Sequence, residues 1–188
     1  MSAPPELPAV VRRAFDASRR SGYVSFCRNE TGRLLATLAA TRTGILAEFG
    51  TGTGVGTAWL RSGIRDDARI LTAELDPKLA GTATRIFADD DRVEVVSADW
   101  STLRDKGPFS LLFLDAREPK DSGAETVIDL VESGGVVVLD DFTPCSSWPP
   151  VYEGRVDVLR EQWLTDERFT TVEVMVAPDA SVLIATKR

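Results

Sequence analysis

The sequence predicts an α/β protein built on a doubly wound, seven-stranded sheet that is mostly parallel and ends in a C-terminal antiparallel hairpin. Five short runs are apolar on both faces and alternate with segments that suit helices, as in a parallel sheet covered by helices on both sides. Two more apolar runs at the end of the chain are joined by a tight turn, which predicts an antiparallel pair. The length of 188 residues suits one domain with a full core.

Two amphipathic helices are expected ahead of the sheet. Apolar residues recur at helical spacing over about 5–20 and again over about 30–41. The rhythm then changes to short apolar runs, which mark the start of the sheet. We therefore divide the single predicted domain, 1–188, into an N-terminal helical cap at 1–42 and a core at 43–188.

The core is expected to alternate strands with helices. Its five parallel strands are predicted at 45–49, 69–75, 93–98, 110–115 and 135–140. The helices between them are predicted at 54–63, 77–88, 100–105 and 121–133. The strands of the hairpin are predicted at 169–176 and 181–187. Because crossovers between parallel strands are right-handed, this order gives a Rossmann-like sheet with helices on both faces.

Composition and charge exclude several classes of protein. The net charge is −7, the pI is near 4.7 and the basic residues are scattered, which argues against a nucleic-acid partner. The chain has no histidine, so the commonest general base and transition-metal ligand are absent. Cys27 and Cys145 lie far apart and predict no disulfide framework. Without a signal-peptide pattern or an apolar run of about 18 residues, we expect a cytoplasmic protein and no membrane partner.

The stretch LAEFGTGTGVG at 46–56 places glycines at every second position directly after the first predicted strand. In an open α/β sheet, ligands bind at the carboxyl ends of the strands, so this loop predicts a ligand site. The pattern is E-x-G-x-G-x-G, and a dinucleotide G-x-G-x-x-G fits in no register. That spacing disfavours a nicotinamide-dependent reductase.

This loop resembles the first motif of class I S-adenosylmethionine-dependent methyltransferases. The resemblance implies that Gly50, Gly52 and Gly54 let the main chain approach the cofactor. It also assigns Glu48, the acid of the motif, to the cofactor site. The same resemblance makes the end of the fourth strand, at Asp115, part of the cofactor site and the place that faces the reacting methyl group.

Two further strand ends carry candidate cofactor ligands. Glu74 lies 20 residues after Gly54 and can accept both ribose hydroxyls, although it also suits a solvated strand end. The resemblance implies that Asp99 accepts from the adenine amino group and that Trp100 stacks on the purine. The alternatives are that Asp99 caps the next short helix and Trp100 belongs to the core.

Acidic residues end the fourth and fifth strands. The sequence resembles the catechol and caffeoyl-coenzyme-A type O-methyltransferases, whose metal ligands match Asp115, Asp140 and Asp141; oxygen ligands of this kind suit Mg²⁺ or Ca²⁺. Two positions depart from that group: Asp141 replaces an asparagine, and Glu118 stands where the family has a lysine, with Lys120 the nearest one. In the alternative, Asp115 or Asp141 alone is the catalytic base or substrate anchor. A purely structural role for all three acids is the third possibility.

The sequence predicts an enzyme that uses S-adenosylmethionine to methylate a hydroxyl of a small-molecule acceptor. The segment 142–155 combines prolines with Trp148 and Tyr152 and is expected to form a lid over the site, or to pack on the sheet edge. Tyr23 and Phe26 are expected to close the other side. The alternatives are a non-catalytic S-adenosylmethionine-binding protein and a metal-independent methyltransferase with a carboxylate base. A homodimer is compatible with these observations.

Overall fold

The structure, a computed structural model, describes residues 6–188 and is organised around one seven-stranded sheet. Its strands are β1 (Gly44–Phe49), β2 (Ala68–Glu74), β3 (Val93–Ser97), β4 (Phe109–Leu114), β5 (Val131–Phe142), β8 (Phe169–Ala177) and β9 (Ala180–Lys187). A separate two-stranded hairpin consists of β6 (Val151–Tyr152) and β7 (Arg155–Val156). The strand order of the large sheet is β3-β2-β1-β4-β5-β9-β8. Strands β1 to β5 pair in parallel and β9 runs antiparallel to both neighbours, which confirms the predicted fold class.

Helices lie on both faces of the sheet. They are α1 (Ala9–Ser21), α2 (Asn29–Ala39), α3 (Val55–Gly63), α4 (Pro77–Ile86), α5 (Arg117–Asp121), α6 (Ala124–Val127) and α7 (Val158–Thr165). Two 3₁₀ helices span Trp100–Lys106 and Ile128–Leu130. Residue 5, at the start of the first predicted helix, lies outside the described residues. No helix within residues 6–188 is long and apolar enough to cross a membrane.

The two faces of the sheet bury separate apolar clusters. Leu46 packs with Leu35 and Trp59 beneath α2 and α3, whereas the next residue, Ala47, packs on the opposite face with Trp163 of α7. Leu46 and Ala47, which are consecutive in β1, are both fully buried. A strand that is covered on both faces needs apolar residues at consecutive positions, which is why these strands read as continuous apolar runs in the sequence.

One predicted helix is wrong in part, and two helices were not predicted. Within 121–133 the structure forms the short α6 and a 3₁₀ helix, and β5 begins at Val131, because that residue pairs with Phe109 of β4. Sheet pairing there overrides the local helical spacing. The unpredicted helices are the short α5 and α7; in α7, the side chain of Asp157 accepts the Arg160 N–H at 3.1 Å and caps the first turn.

Candidate functional site

A cavity of about 490 Å³ lies at the carboxyl ends of β1 to β4, beside the glycine-rich loop. Residues 23–26, between α1 and α2, form part of its wall, as expected for Tyr23 and Phe26. The structure brings seven of the predicted site residues to this cavity: Gly50, Gly52, Glu74, Asp99, Trp100, Asp115 and Asp141. The cavity lining does not include Glu48, Gly54 or Asp140.

The glycine-rich loop packs so closely that side chains would obstruct it. Gly50 has φ 101°, and a Cβ atom built there would lie 2.8 Å from the backbone nitrogen of Ala116. Gly52 has φ 54°, and its Cβ would lie 3.0 Å from the ring of Tyr23. Bare main chain therefore faces the cavity, and Tyr23 lies directly against it.

Glu74, the last residue of β2, holds this loop in place. Its Oε2 accepts a hydrogen bond from the N–H of Gly52 at 2.7 Å, and its Oε1 accepts from the N–H of Asp76 at 2.9 Å. Each carboxylate oxygen has two lone pairs, so both oxygens keep the capacity to accept from hydroxyl groups of a ligand. Asp76 itself caps α4 by accepting from the N–H of Lys78 at 2.7 Å.

Glu48 lies beneath the loop and not in the cavity. Its side chain is fully buried, and its Oε2 accepts hydrogen bonds from the hydroxyls of Thr57 and Thr72, the latter at 2.8 Å. Burial raises the pKa of this carboxyl to about 8, because the hydrogen bonds that favour the charged form do not offset the lost solvation. Glu48 therefore supports the loop from below. Its assignment as a cofactor ligand stays a prediction.

Asp99 and Trp100 have structural roles and also line the cavity, so the structure combines the two alternatives that the sequence left open. The Asp99 carboxylate accepts the N–H of Ser101 at 2.9 Å, which caps the 3₁₀ helix and lowers the pKa of Asp99. Trp100 is buried against Phe49, with ring centroids 5.1 Å apart, and its indole N–H donates to Glu118 Oε2 at 2.9 Å. Both residues also line the cavity, so capping and packing fix the side chains that a ligand would meet.

The three acids predicted at the ends of β4 and β5 have different surroundings. Asp115 is set deep in the cavity wall; burial, and then the charge of Asp140, raise its pKa well above the ordinary value. Asp140 is buried, its pKa is raised by burial, and its Oδ1 accepts a hydrogen bond from the Thr31 hydroxyl at 3.3 Å. Asp141 has φ 68° and an exposed side chain.

Residues 47–142, about half of the chain, match the family described as a methyltransferase domain. The chain belongs to this methyltransferase family. A Mycobacterium ulcerans protein named "Putative O-methyltransferase" is 33% identical over 154 residues, which cover 74% of this chain and 68% of the relative. A Mycobacterium bovis (strain BCG) protein of the same name is 36% identical over 118 residues, covering 57% of this chain and 52% of the relative. The methyltransferase chain thus spans about half the length of several of its mycobacterial relatives.

Solved methyltransferase structures share this fold. An O-methyltransferase from Bacillus cereus, in complex with S-adenosylhomocysteine, has a TM-score of 0.76 at 20% identity, covering 97% of this chain and 92% of that one. The O-methyltransferase TomG from Streptomyces achromogenes, in complex with S-adenosylmethionine, has a TM-score of 0.76 at 22% identity over the same shares of the two chains. These likenesses show that the chain has this fold, and the family match over residues 47–142 confirms the predicted resemblance to methyltransferases.

The acids of this methyltransferase do not form the ligand set that the metal-dependent O-methyltransferases would suggest. Among residues 6–188, no three His, Cys, Asp or Glu side chains form a group that could hold a metal ion. Instead, the ammonium group of Lys120 donates to the carbonyl oxygen of Asp140 at 2.8 Å and lies 3.5 Å from Asp141 Oδ2. The observed donor set therefore does not fit a divalent cation bound by three carboxylates.

A second cavity, of about 430 Å³, shares Asp115 and Asp141 with the first. Its wall includes Phe142 and Tyr152, so part of the predicted lid segment, 142–155, borders the site. Trp148, in contrast, has 64% of its surface exposed. The candidate site thus consists of two adjoining cavities that meet at two carboxylates.

Sequence reasoning gave no role to three residues of the site. Lys120 was only the nearest lysine to the expected position, and Thr31 carried no signal that could connect it to Asp140. Arg160 is 1% exposed and donates to the carbonyl oxygen of Thr143 at 2.7 Å, which anchors the start of the lid segment. A capping pattern before α7 would have revealed the helix that carries Arg160, but not its contact.

Proposed function

We propose that this protein is an S-adenosylmethionine-dependent methyltransferase that methylates a hydroxyl oxygen of a small molecule. The observation that carries the proposal is the meeting of two cavities at Asp115 and Asp141, one of them walled by the glycine-rich loop and Glu74. A transferase needs two ligands side by side, and adjoining cavities provide that arrangement. The O-methyltransferases among its relatives and structural neighbours support the same conclusion.

The first cavity has the polar groups that the cofactor requires. Glu74 accepts from the ribose hydroxyls with the lone pairs that the Gly52 and Asp76 N–H groups leave free. Asp99 accepts from the adenine amino group, and the face of Trp100 packs on the purine. When bound, S-adenosylmethionine supplies a methyl group on a positively charged sulfur.

The second cavity holds the acceptor. Asp115 and Asp141 lie where the two cavities meet and orient the acceptor hydroxyl. One of them takes the hydroxyl proton as the oxygen replaces the sulfur on the methyl carbon, and the electron pair of the broken carbon–sulfur bond stays with the sulfur. A raised pKa, which burial gives to Asp115, makes a carboxylate a stronger base near neutral pH. The lid segment, through Tyr152, shields this cavity from water.

Calorimetry with S-adenosylhomocysteine tests the cofactor site. Glu74→Gln keeps the shape of the side chain but removes its charge, so we expect the Kd to rise at least about tenfold, the loss of a charge-assisted hydrogen bond. Glu94→Gln, which removes an exposed charge on the neighbouring β3, is the matched control and should leave the Kd unchanged. Equal Kd values for the wild type and Glu74→Gln would contradict the proposal.

Turnover separates an enzyme from a non-catalytic binding protein. The alternative is favoured by Glu118, which stands at the position of the family's lysine and is engaged by the Trp100 indole. Formation of S-adenosylhomocysteine would be measured with a panel of catechols and phenols, with and without Mg²⁺. Product from at least one acceptor supports the enzyme, and tight cofactor binding without any product supports the alternative. The homodimer stays a prediction, which light scattering would check.

A further inference from the structure

Lys120 brings a positive charge into the group of acids at the ends of β4 and β5. It belongs to α5, which begins two residues after Asp115, and only 12% of its side chain is exposed. Its Nζ donates to the carbonyl oxygen of Asp140 at 2.8 Å and lies 3.5 Å from Asp141 Oδ2. The ammonium group therefore bridges the main chain of one acid and the side chain of the next.

The charge of Lys120 partly offsets the negative charge of the three acids. Asp115, Asp140 and Asp141 would repel one another without a positive group nearby. The charge of Lys120 acts on Asp115 and Asp140 as well as on Asp141, since it favours the ionised form of both buried acids. Asp141 stands where the metal-dependent O-methyltransferases have a neutral asparagine, and the ammonium group of Lys120, 3.5 Å from its Oδ2, offsets this additional negative charge.

A divalent cation has no suitable place in this arrangement. An ion held by Asp141 would lie within a few ångströms of the ammonium group, where two positive charges repel strongly in a partly buried site. The Asp140 carboxylate accepts the Thr31 hydroxyl at 3.3 Å, which occupies one lone pair of its Oδ1. Both observations are independent of the absence of a three-ligand group among residues 6–188.

We propose that the ammonium group of Lys120 replaces the divalent cation at this site, as a positioning residue that pairs with Asp141 and fixes the main chain of Asp140. The site then orients its acids without any metal. This inference rests on the proposed function for the meaning of the site, but a direct measurement of metal binding tests it without turnover. Calorimetry with S-adenosylhomocysteine, which tests the proposed function, does not depend on Lys120.

The test is a titration of the metal-free full-length chain with Mn²⁺, followed by the electron paramagnetic resonance signal of the free ion. We expect the wild type to show no saturable binding up to about 1 mM, the weak end of protein sites for divalent cations. Lys120→Met leaves the acids without their cation and should bind one Mn²⁺ at least about tenfold more tightly than the wild type. Asp141→Asn added to Lys120→Met should abolish that binding.

Two control variants show whether charge or structure is responsible. Lys120→Arg keeps a positive charge at the site and should exclude Mn²⁺ as the wild type does. Lys106→Met removes an exposed lysine remote from the acids and should change nothing. Wild-type protein that binds one Mn²⁺ through Asp141 would overturn the proposal. Lys120→Met protein that melts cooperatively but binds no Mn²⁺ would also overturn it.

Discussion

The buried carboxyl of Glu48 makes the stability of the protein depend on pH in an unusual direction. Burial raises its pKa from 4.5 to about 8 in the folded state. Below about pH 4.5 the carboxyl is protonated in both states and makes no difference to stability. Between about pH 4.5 and 8 the folded state binds more protons than the unfolded state, so the stability falls as the pH rises. The replacement Glu48→Gln, which has nearly the same shape and cannot ionise, removes this dependence.

The magnitude follows from the displacement of the pKa. At about 1.4 kcal/mol for each tenfold change in the proton equilibrium, ionisable Glu48 costs the folded state about 3 kcal/mol between pH 5 and 7. The total rises to about 5 kcal/mol above pH 8. The hydroxyls of Thr57 and Thr72 remain partners of the glutamine, so the support of the glycine-rich loop should survive the change.

Urea unfolding of both proteins at pH 5, 6, 7 and 8, followed by tryptophan fluorescence, measures the effect. The quantity of interest is the free energy of unfolding of Glu48→Gln minus that of the wild type, because ionisable groups that do not interact with Glu48 contribute equally to both. We expect this difference to grow in favour of the variant by about 1.4 kcal/mol for each pH unit. A difference that stays constant from pH 5 to 8 would show that Glu48 is ionised in the folded protein, and the reasoning would be refuted.

Four other changes should alter the free energy of unfolding, each to a different extent. A Cβ atom at Gly56 would overlap the buried carboxylate beneath the loop, so Gly56→Ala should destabilise the protein by about 2 kcal/mol, the cost of overpacking. Gly81→Ala, in α4, would place a Cβ 3.7 Å from the Arg85 guanidinium, an ordinary contact, and should instead stabilise the protein by about 0.5–1 kcal/mol. Thermal melting of the two variants compares them. Arg160→Met leaves the partly buried Glu173 without the guanidinium 3.3 Å away and should cost about 3 kcal/mol in urea unfolding. Arg168→Met removes a guanidinium whose side chain is 44% exposed and should cost less than about 1 kcal/mol; equal losses for both arginines would contradict the role of burial.

Much of the fold could be predicted because both faces of the sheet are covered. The consecutive burial of Leu46 and Ala47 requires an apolar run, and such runs marked each strand of the large sheet. Prediction failed within 121–133, where Val127, Leu130 and Val131 have helical spacing. There the pairing of Val131 with Phe109 of β4 decided the structure, and a contact between distant residues leaves no local signal.

The candidate site could also be predicted only in part. Glu74, Asp99 and Asp115 follow different strands, and they meet because the carboxyl ends of parallel strands lie at one edge of the sheet. The burial of Glu48 and the contact of Lys120 with the end of β5 could not be predicted, since each depends on how loops pack over the sheet. Strand order predicts which residues are neighbours, but not which of them accept or donate hydrogen bonds or become buried away from solvent.

The two cavities that meet at Asp115 and Asp141 are built from different parts of the polypeptide. Apart from Asp141, the first cavity is built from residues up to 119, whereas every residue of the second comes from 115 onwards. Under the proposed function, substitutions from residue 115 onwards can therefore change which hydroxyl is accepted, while the residues before it bind the same methyl donor. Exchanging the residues from 115 onwards between homologous chains would be the simplest way to replace one acceptor with another.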